Sequence, residues 1–393
     1  MIGVDNKIAI TGWGSVSALG SSTQQIWGNY LHPVHHLKSQ NFGAFSASAA
    51  PLDVNTYKEI EALKLEQVKY RELDPSVLYA IIASRYATSM AGWDSNKEFG
   101  INIGSSRGAT SLFEKYYDAF RAHGAERTDT LASPTTTLGN IATWVANDLG
   151  TNGPEISHSI TCSTALHAIL NGVAWLQSGF TDTFLAGGSE APLTPFTVAQ
   201  MKALKVYTRE DAKPNNYPVR SLDMQKTQNS MALGEGAAVF CMEKEASDRA
   251  LAYIEGIGYG TETLEHNTSI SEKGICFQKS MTMALEGHKL SDVDAIVMHA
   301  PGTVKGDLSE YNAIQKIFRR QRPALTSNKW KIGHTLGSSG ALSMELALLM
   351  LQNQLFIKVP YSHHRAPLKL NKILVNAVGF GCNAVSVLLS RPI

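Results

Sequence analysis

Cys162 is the residue of this chain best placed to do chemistry. It lies in Ser157-His158-Ser159-Ile160-Thr161-Cys162-Ser163-Thr164-Ala165, where a short strand-like run gives way to Ala165, Leu166, Ile169, Leu170, Val173 and Leu176 at helical spacing. That spacing places the thiol at the opening of a helix, where unsatisfied N–H groups and the positive end of the helix dipole favour thiolate over thiol. Two histidines are its candidate partners. His299 ends the apolar run Asp294-Ala295-Ile296-Val297-Met298 and enters the glycine-bounded segment Ala300 to Asp307; His334 lies between Lys329 and Gly340, just before a helix whose first turn is small residues. Polar groups at the C-terminal ends of parallel strands sit where α/β proteins place their sites. A thiol with imidazole partners is a pattern for nucleophilic catalysis.

The elements that must position these groups alternate between strand and helix. Lys7 to Gly14 reads as a buried strand ending in a glycine turn, and helical spacing follows to Tyr30. Residues 32–51 read as irregular surface, with His35 and His36 as solvated loop residues. Asp74-Pro75 starts a helix with Pro in its first turn. Ile101 to Gly108 is a strand ending in a tight turn; it lacks both the Lys-Ser/Thr of a P-loop and the third glycine of a dinucleotide fingerprint. A helix over about 139–149 leads to the Cys162 segment. Asp182 to Glu190 is a further buried strand, set beside the strand before Cys162, and Leu233 to Met242 is another, with Cys241 as a core residue. After a polar stretch from Tyr207 to Met231, the second half repeats the grammar: strands at 251–258, 294–298, 372–378 and 384–389, and helices at 277–286, 308–318 and 335–351. The alternation implies two α/β units with mostly parallel sheets, packed together, although no clean internal repeat is visible.

The bulk numbers exclude several classes. The chain has 393 residues, with 35 Lys and Arg against 34 Asp and Glu, a formal charge of +1. That balance carries no overall electrostatic footprint for nucleic acid or an anionic membrane. The cysteines, Cys162, Cys241, Cys276 and Cys382, show no C-x-x-C spacing, which argues against a zinc site and a disulfide framework and fits a reducing cytoplasm. The N-terminus does not read as a signal peptide, and no apolar run approaches the roughly 18 residues that span a bilayer.

Read together, the motifs resemble those of the β-ketoacyl synthases, the condensing enzymes of fatty-acid and polyketide assembly. The resemblance rests on Ile160-Thr161-Cys162, on His299-Ala300-Pro301-Gly302-Thr303-Val304-Lys305-Gly306-Asp307, on Lys329 through Gly340, and on Gly379-Phe380-Gly381, in that order. Thr11 to Gly14, Ala186 to Glu190 and Leu233 to Ala237 match as well, so nearly the whole chain is covered. It implies a thiolase-like α/β fold: two pseudo-duplicated halves with mostly parallel central sheets in a layered αβαβα arrangement, residues 1–245 carrying the cysteine and 246–393 the two histidines.

The resemblance further implies that Cys162 accepts an acyl group as a thioester and that His299 and His334 hydrogen-bond the carbonyl of a malonyl thioester during its decarboxylation. The backbone N–H groups of Cys162 and Phe380 are then the oxyanion hole, Phe380 gates the site, Lys329 and Glu310 support it, and Thr303 keeps one of two hydroxyls for a pantetheine arm. No metal or cofactor is implied, since substrates ride on the phosphopantetheine of an acyl carrier protein. The partners implied are that carrier, met by a basic patch for which Lys202, Lys205, Arg209 and Lys213 are candidates, and a second chain in a homodimer or ketosynthase heterodimer. Departures from the family pattern are Ala300 and Pro301, the stretch Lys226-Thr227-Gln228-Asn229, Cys382-Asn383-Ala384 after the glycine loop, and Arg107 in place of an apolar residue near the acyl pocket. The alternatives are a non-catalytic chain-length-factor-like subunit and a thiolase, which would use a second cysteine such as Cys382 as its base.

Overall fold

A computed structural model describes residues 7–94, 97–138, 140–213, 215–244, 248–266, 269–362 and 365–392. The first part runs β1 (Ile8–Ser17), α1 (Thr23–Leu31), β2 (Lys38–Asn41), β3 (Ser46–Ala50), α2 (Val54–Glu66), α3 (Pro75–Ala91), β4 (Gly100–Gly104) and α4 (Thr110–His123). It continues with α5 (Ala132–Thr136), α6 (Asn140–Leu149), β5 (Glu155–Ile156), α7 (Thr164–Ser178), β6 (Thr183–Glu190), α8 (Pro195–Ala203), β7 (Leu233–Gly234) and β8 (Gly236–Glu243). The second part runs β9 (Ala252–Gly260), α9 (Ile275–Ala284), β10 (Ala295–Val297), α10 (Val304–Phe318), β11 (Ala324–Thr326), α11 (Lys329–Ile332), α12 (Ser339–Asn353), β12 (Lys372–Gly379) and β13 (Asn383–Ser390).

Ten strands form one sheet in the order β11-β10-β12-β13-β9-β1-β8-β6-β4-β5. Each half has the same internal order: third, second, fourth, fifth, first. In each, the first three in that order are parallel and the last two pairings antiparallel. The duplication that residue patterns did not reveal is thus plain in the topology. The halves join where β1 pairs antiparallel with β9, through Ile8↔Ile254, Ala9↔Tyr253 and Ile10↔Ala252. The expectation of mostly parallel sheets is therefore corrected: the sheet is mixed, because the fifth strand of each repeat, β8 or β13, runs antiparallel to both of its neighbours. β13 does so directly after β12 through a three-residue loop, which only antiparallel pairing permits, whereas β8 is reached from β6 through the longer stretch that carries α8 and β7. β6 also lies beside β4 and β8, not beside the strand before Cys162. The expected domain boundary at 245/246 falls outside the described residues.

Layering follows from burial. From Ser339 to Leu351 every residue of α12 is buried; the helix is mostly apolar and covered on every side, and its buried Glu345 accepts from Tyr30 Oη and Ser15 Oγ. Its Leu342, Leu346, Leu348, Leu349 and Leu351 are each at most 1% exposed, and each such leucine contributes about 1.5–3 kcal/mol by leaving water. α12 packs on α7, and both touch strands of both repeats. α3 covers β1, β8 and β6, and α9 covers β9, β13 and β12, on the outside. α3 starts as expected, with the Asp74 side chain accepting from Ser76 N–H at 2.9 Å and Pro75 at its first position.

Gly12 and Gly14 do not make a turn. β1 continues to Ser17, and a Cβ at Gly12 would lie 2.3 Å from Ala87 O, one at Gly14 2.1 Å from Ala83 O. The glycines let α3 approach the sheet backbone. Residues 32–51, read as irregular, instead supply β2 and β3, a small sheet with β7. His35 is 7% exposed with Nε2 2.9 Å from Lys213 O, and burial, then Lys331, lowers His36 to about 4. The loop is held by Lys331, whose buried ammonium donates to the carbonyls of Asn29, His32 and Val34.

Candidate active site

The repeat explains why distant residues meet. Cys162 precedes α7, which connects the third and fourth strands of the first repeat; His334 precedes α12, its counterpart in the second. His299 follows β10, the second strand of its repeat, as Ser105 to Arg107 follow β4. All four segments contribute to one cavity of about 330 Å³, lined by Cys162, His299, His334, Arg107, Phe380 and Thr303 among others.

Cys162 is 8% exposed. The regular helix begins two residues later, at Thr164, and the turn that carries the thiol is tied by Thr164 Oγ1, which donates to Thr161 O at 2.6 Å and accepts Ile160 N–H at 2.9 Å. Thr161 has φ 48°, an uncommon conformation for a β-branched residue. It is held there by contact with β12: Thr161 Oγ1 donates to Phe380 O at 3.2 Å, and Gly379 leaves no room for a side chain beside it. The expectation of a helix-depressed thiol is corrected. Burial, then the charge of Glu190, pushes Cys162 up to about 12, while Lys329 and Arg107 pull the other way. Removal from water outweighs the helix terminus, so the resting Cys162 side chain is a thiol.

His299 and His334 face each other edge to face, ring centroids 5.1 Å apart and planes at 88°. They are 4% and 2% exposed. Burial, then His334 and Lys329, holds His299 well below the ordinary imidazole range; burial, then Lys329, lowers His334 to about 3. Both rings are neutral at physiological pH, each with one N–H donor. The Nδ1 atoms of both are buried without a protein partner.

Around them, Glu310 accepts from the N–H groups of His299 at 3.0 Å and Ala300 at 2.9 Å and from Asn376 Nδ2 at 3.1 Å, fixing a backbone in which Ala300 has φ 23°. Lys329 is 1% exposed, donates to Asn328 Oδ1 at 3.1 Å and Ser343 Oγ at 3.0 Å, and is lowered to about 8 by burial against the pull of Glu310 and Cys162. Thr303 caps α10, its Oγ1 accepting from Gly306 N–H at 3.2 Å, and lines the cavity. Phe380 lines the same cavity and is 40% exposed.

Three features escaped a reading by motif. Glu190 is fully buried and accepts from Ser105 Oγ (2.8 Å), Ser106 N–H (2.8 Å), Arg107 N–H (3.1 Å) and Gly337 N–H (2.8 Å). The turn after β4 is thus tight as expected, and a carboxylate fills the amides that a phosphate would need. Asn229, in the departing stretch, accepts from Val304 N–H at 2.9 Å and lines the cavity, while Lys226 pairs with buried Asp307 at 2.8 Å. Glu262, Cys276 and Cys382 bring potential ligand atoms within 4.8 Å of one another. Cys382 Sγ donates to Ser269 O at 2.6 Å and does not line the Cys162 cavity, a position unsuited to the second cysteine of a thiolase. Nothing in the spacing of these residues signals that they meet. The four cysteines are free, and Cys241 is core. Lys202, Lys205, Arg209 and Lys213 are exposed; the first three share a surface hollow with Glu210 and Asp211.

Among the described residues no helix is long and apolar enough to cross a membrane. Comparison with known proteins agrees with the geometry. The family model for the β-ketoacyl synthase N-terminal domain matches residues 5–248, and that for the C-terminal domain matches 251–362. The chain is 27% identical to the 3-oxoacyl-[acyl-carrier-protein] synthase 2 of Coxiella burnetii, covering 98% of both, and 26% identical to that of Staphylococcus aureus strain COL, covering 89% of this chain and 86% of that one. Its fold matches a beta-ketoacyl synthase from Burkholderia phymatum with a TM-score of 0.86 at 22% identity, over 99% of this chain and 100% of that one. It also matches the ketosynthase ApeO in complex with its chain length factor ApeC from Xenorhabdus doucetiae, with a TM-score of 0.79 at 19% identity, over 98% of each. Two domain models that together span nearly the whole chain, and a duplicated fold that brings one thiol and two neutral imidazoles into one cavity, lead to one conclusion: this protein belongs to the β-ketoacyl synthase family.

Proposed function

We propose that the protein is an active condensing enzyme that joins an acyl group to a malonyl unit with loss of CO2, both delivered as thioesters of an acyl carrier protein. The observation that carries this reading is the pair of neutral, buried imidazoles at 5.1 Å in the cavity that holds Cys162. In the first half-reaction the Cys162 thiol loses its proton and attacks the acyl thioester; the acyl–sulfur bond to the carrier breaks and the carrier thiol leaves. In the second, the malonyl C–C bond to the carboxylate breaks, CO2 departs, and the electron pair becomes an enolate. Its oxygen needs positioned donors in a water-poor site, the role of His299 and His334. The enolate carbon then attacks the Cys162 thioester, with the Cys162 and Phe380 N–H groups stabilising the oxyanion, and the thiolate is released.

Glu310 and Lys329 position the histidines and their field, and Thr303 meets the pantetheine arm. The scheme uses no resident metal or cofactor. Its partners are the carrier, for which the exposed Lys202, Lys205, Arg209 and Lys213 are the candidate contact, and a second copy or a ketosynthase-like partner; the expected location is the cytoplasm. Intact-mass analysis after incubation with acyl carrier proteins bearing different acyl groups tests it. An acyl adduct on Cys162, absent in Cys162→Ala and kept in Cys382→Ala, is expected, with condensation lost in Cys162→Ala alone. Undiminished condensation by the Cys162→Ala protein, or by its complex with a partner chain, refutes the reading and points to a chain-length-factor role.

A further inference from the structure

Arg107 stands in the same cavity as the nucleophile, on the turn between β4 and α4. Its backbone is held from both sides: its N–H donates to Glu190 Oε1 at 3.1 Å, and Gly108, at φ 63°, donates its own N–H to Ser105 Oγ at 2.9 Å. The side chain thereby lines a chamber shared with Cys162 and the apolar residues Met201, Val206, Met231 and Leu336. Its guanidinium is only partly satisfied. One Nη donates to Gln200 Oε1, whereas Nε is buried with no acceptor. Among the described residues no carboxylate lies within ion-pair distance of Arg107. The nearby carboxylate of Glu190 is occupied by two serine hydroxyls and three backbone N–H groups.

A guanidinium cannot shed its charge, and burying its donors unfilled is costly. An apolar residue would complete this chamber without that cost. The planar fork is matched instead by a carboxylate, which takes two parallel N–H bonds. An alkyl chain directed at the same group would strip water from it and offer nothing in return.

Resting on the reading of Cys162 as acyl acceptor, we propose that Arg107 makes the acyl chamber a binding site for acyl groups whose chain carries a carboxylate, so that the enzyme accepts carboxyacyl thioesters in preference to alkyl ones. The carboxylate seats against Nε and the remaining guanidinium N–H groups, while the thioester carbon meets Cys162.

The test compares acyl carrier proteins loaded with succinyl, glutaryl or adipyl groups against butyryl, valeryl and hexanoyl, following acylation of Cys162 by intact mass. The wild-type protein is expected to load at least one carboxyacyl group about 10-fold or more faster than its methyl-ended counterpart, the discrimination of one charge-assisted hydrogen-bonded pair. Arg107→Met should abolish that preference and favour the alkyl series, and Arg107→Lys should keep part of it. Faster alkyl loading by the wild type, or a preference unchanged in Arg107→Met, overturns the inference while leaving the condensing function standing. A substitution that raises KM for the malonyl carrier and leaves acyl selectivity intact overturns it too, assigning the guanidinium to the extender carboxylate. If no acyl group of either series is found on Cys162, the condensing function itself fails.

Discussion

Replacing Gly379 by alanine would place a methyl group 1.8 Å from Thr161 Oγ1, 2.8 Å from Ile160 O and 3.1 Å from Cys162 N. The hydroxyl can rotate away, giving up its bond to Phe380 O, at a cost of about 1 kcal/mol. The two backbone atoms cannot. Ordinary contact begins near 3.4 Å, so the Ile160 carbonyl must yield by about 0.6 Å and the Cys162 amide by about 0.3 Å. Overpacking of this size costs about 1–3 kcal/mol of stability. Since a displacement of about 1 Å at a reacting group can cost about 100-fold in rate, acylation of Cys162 should slow by about 10- to 100-fold. Single-turnover acyl loading read by mass, alongside a urea melt, separates the two effects. In the Thr161→Ala/Gly379→Ala double variant the 1.8 Å contact is gone but the Ile160 contact remains, so stability should recover more than rate. If Gly379→Ala loads acyl groups at the wild-type rate and melts with the wild type, contact between β12 and the Cys162 turn does not position the nucleophile.

The buried Lys226–Asp307 pair gives a second expectation. Lys226→Met strands a carboxylate with no exposure and should cost about 3–5 kcal/mol in urea denaturation. Burial already raises Asp307 above its unfolded value against the pull of Lys226, and losing the lysine raises it further, so the folded variant binds the extra proton and part of the loss relative to wild type should return as pH is lowered from 7.5 to 5; a loss independent of pH would contradict this. For His334 the sign is opposite. Its folded pKa of about 3 lies below the unfolded value, so the unfolded chain binds more protons and stability falls as pH drops from 6.5 toward 3. By pH 4.5 this amounts to about 2–3 kcal/mol, and His334→Gln should therefore lose less stability than the wild type between pH 7 and 4.5, as chemical melts at both pH values will show. At Gly14 an added methyl meets Ala83 O and the Tyr86 Cβ at 2.1 and 2.7 Å. Gly14→Ala should depress stability by about 3 kcal/mol or more, and a melting temperature within a degree of wild type would show that α3 can draw back from β1.

Cys162, His299 and His334 were legible in the chain because each sits in a short local pattern, a strand or apolar run ending in small residues before a helix, and such patterns need only neighbours in sequence. The same holds for the Asp74-Pro75 helix start and the alternation of strands and helices. What the sequence could not decide depends on groups brought together from far along the chain. The β1–β9 pairing that merges two repeats into one mixed sheet joins residues some 245 positions apart. Position before a helix predicts a depressed Cys162 thiol, whereas desolvation, which is set by everything packed around it, pushes the thiol up. Likewise His35 reads as a loop residue until Lys213 and Lys331 close over its segment, and Gly12 and Gly14 read as a turn until α3 is laid on them. Whether the Arg107 guanidinium finds a carboxylate, and whether Cys276 and Cys382 meet Glu262, are facts of the third dimension alone, since charge pairing and ligand geometry follow distance in space and not separation in sequence.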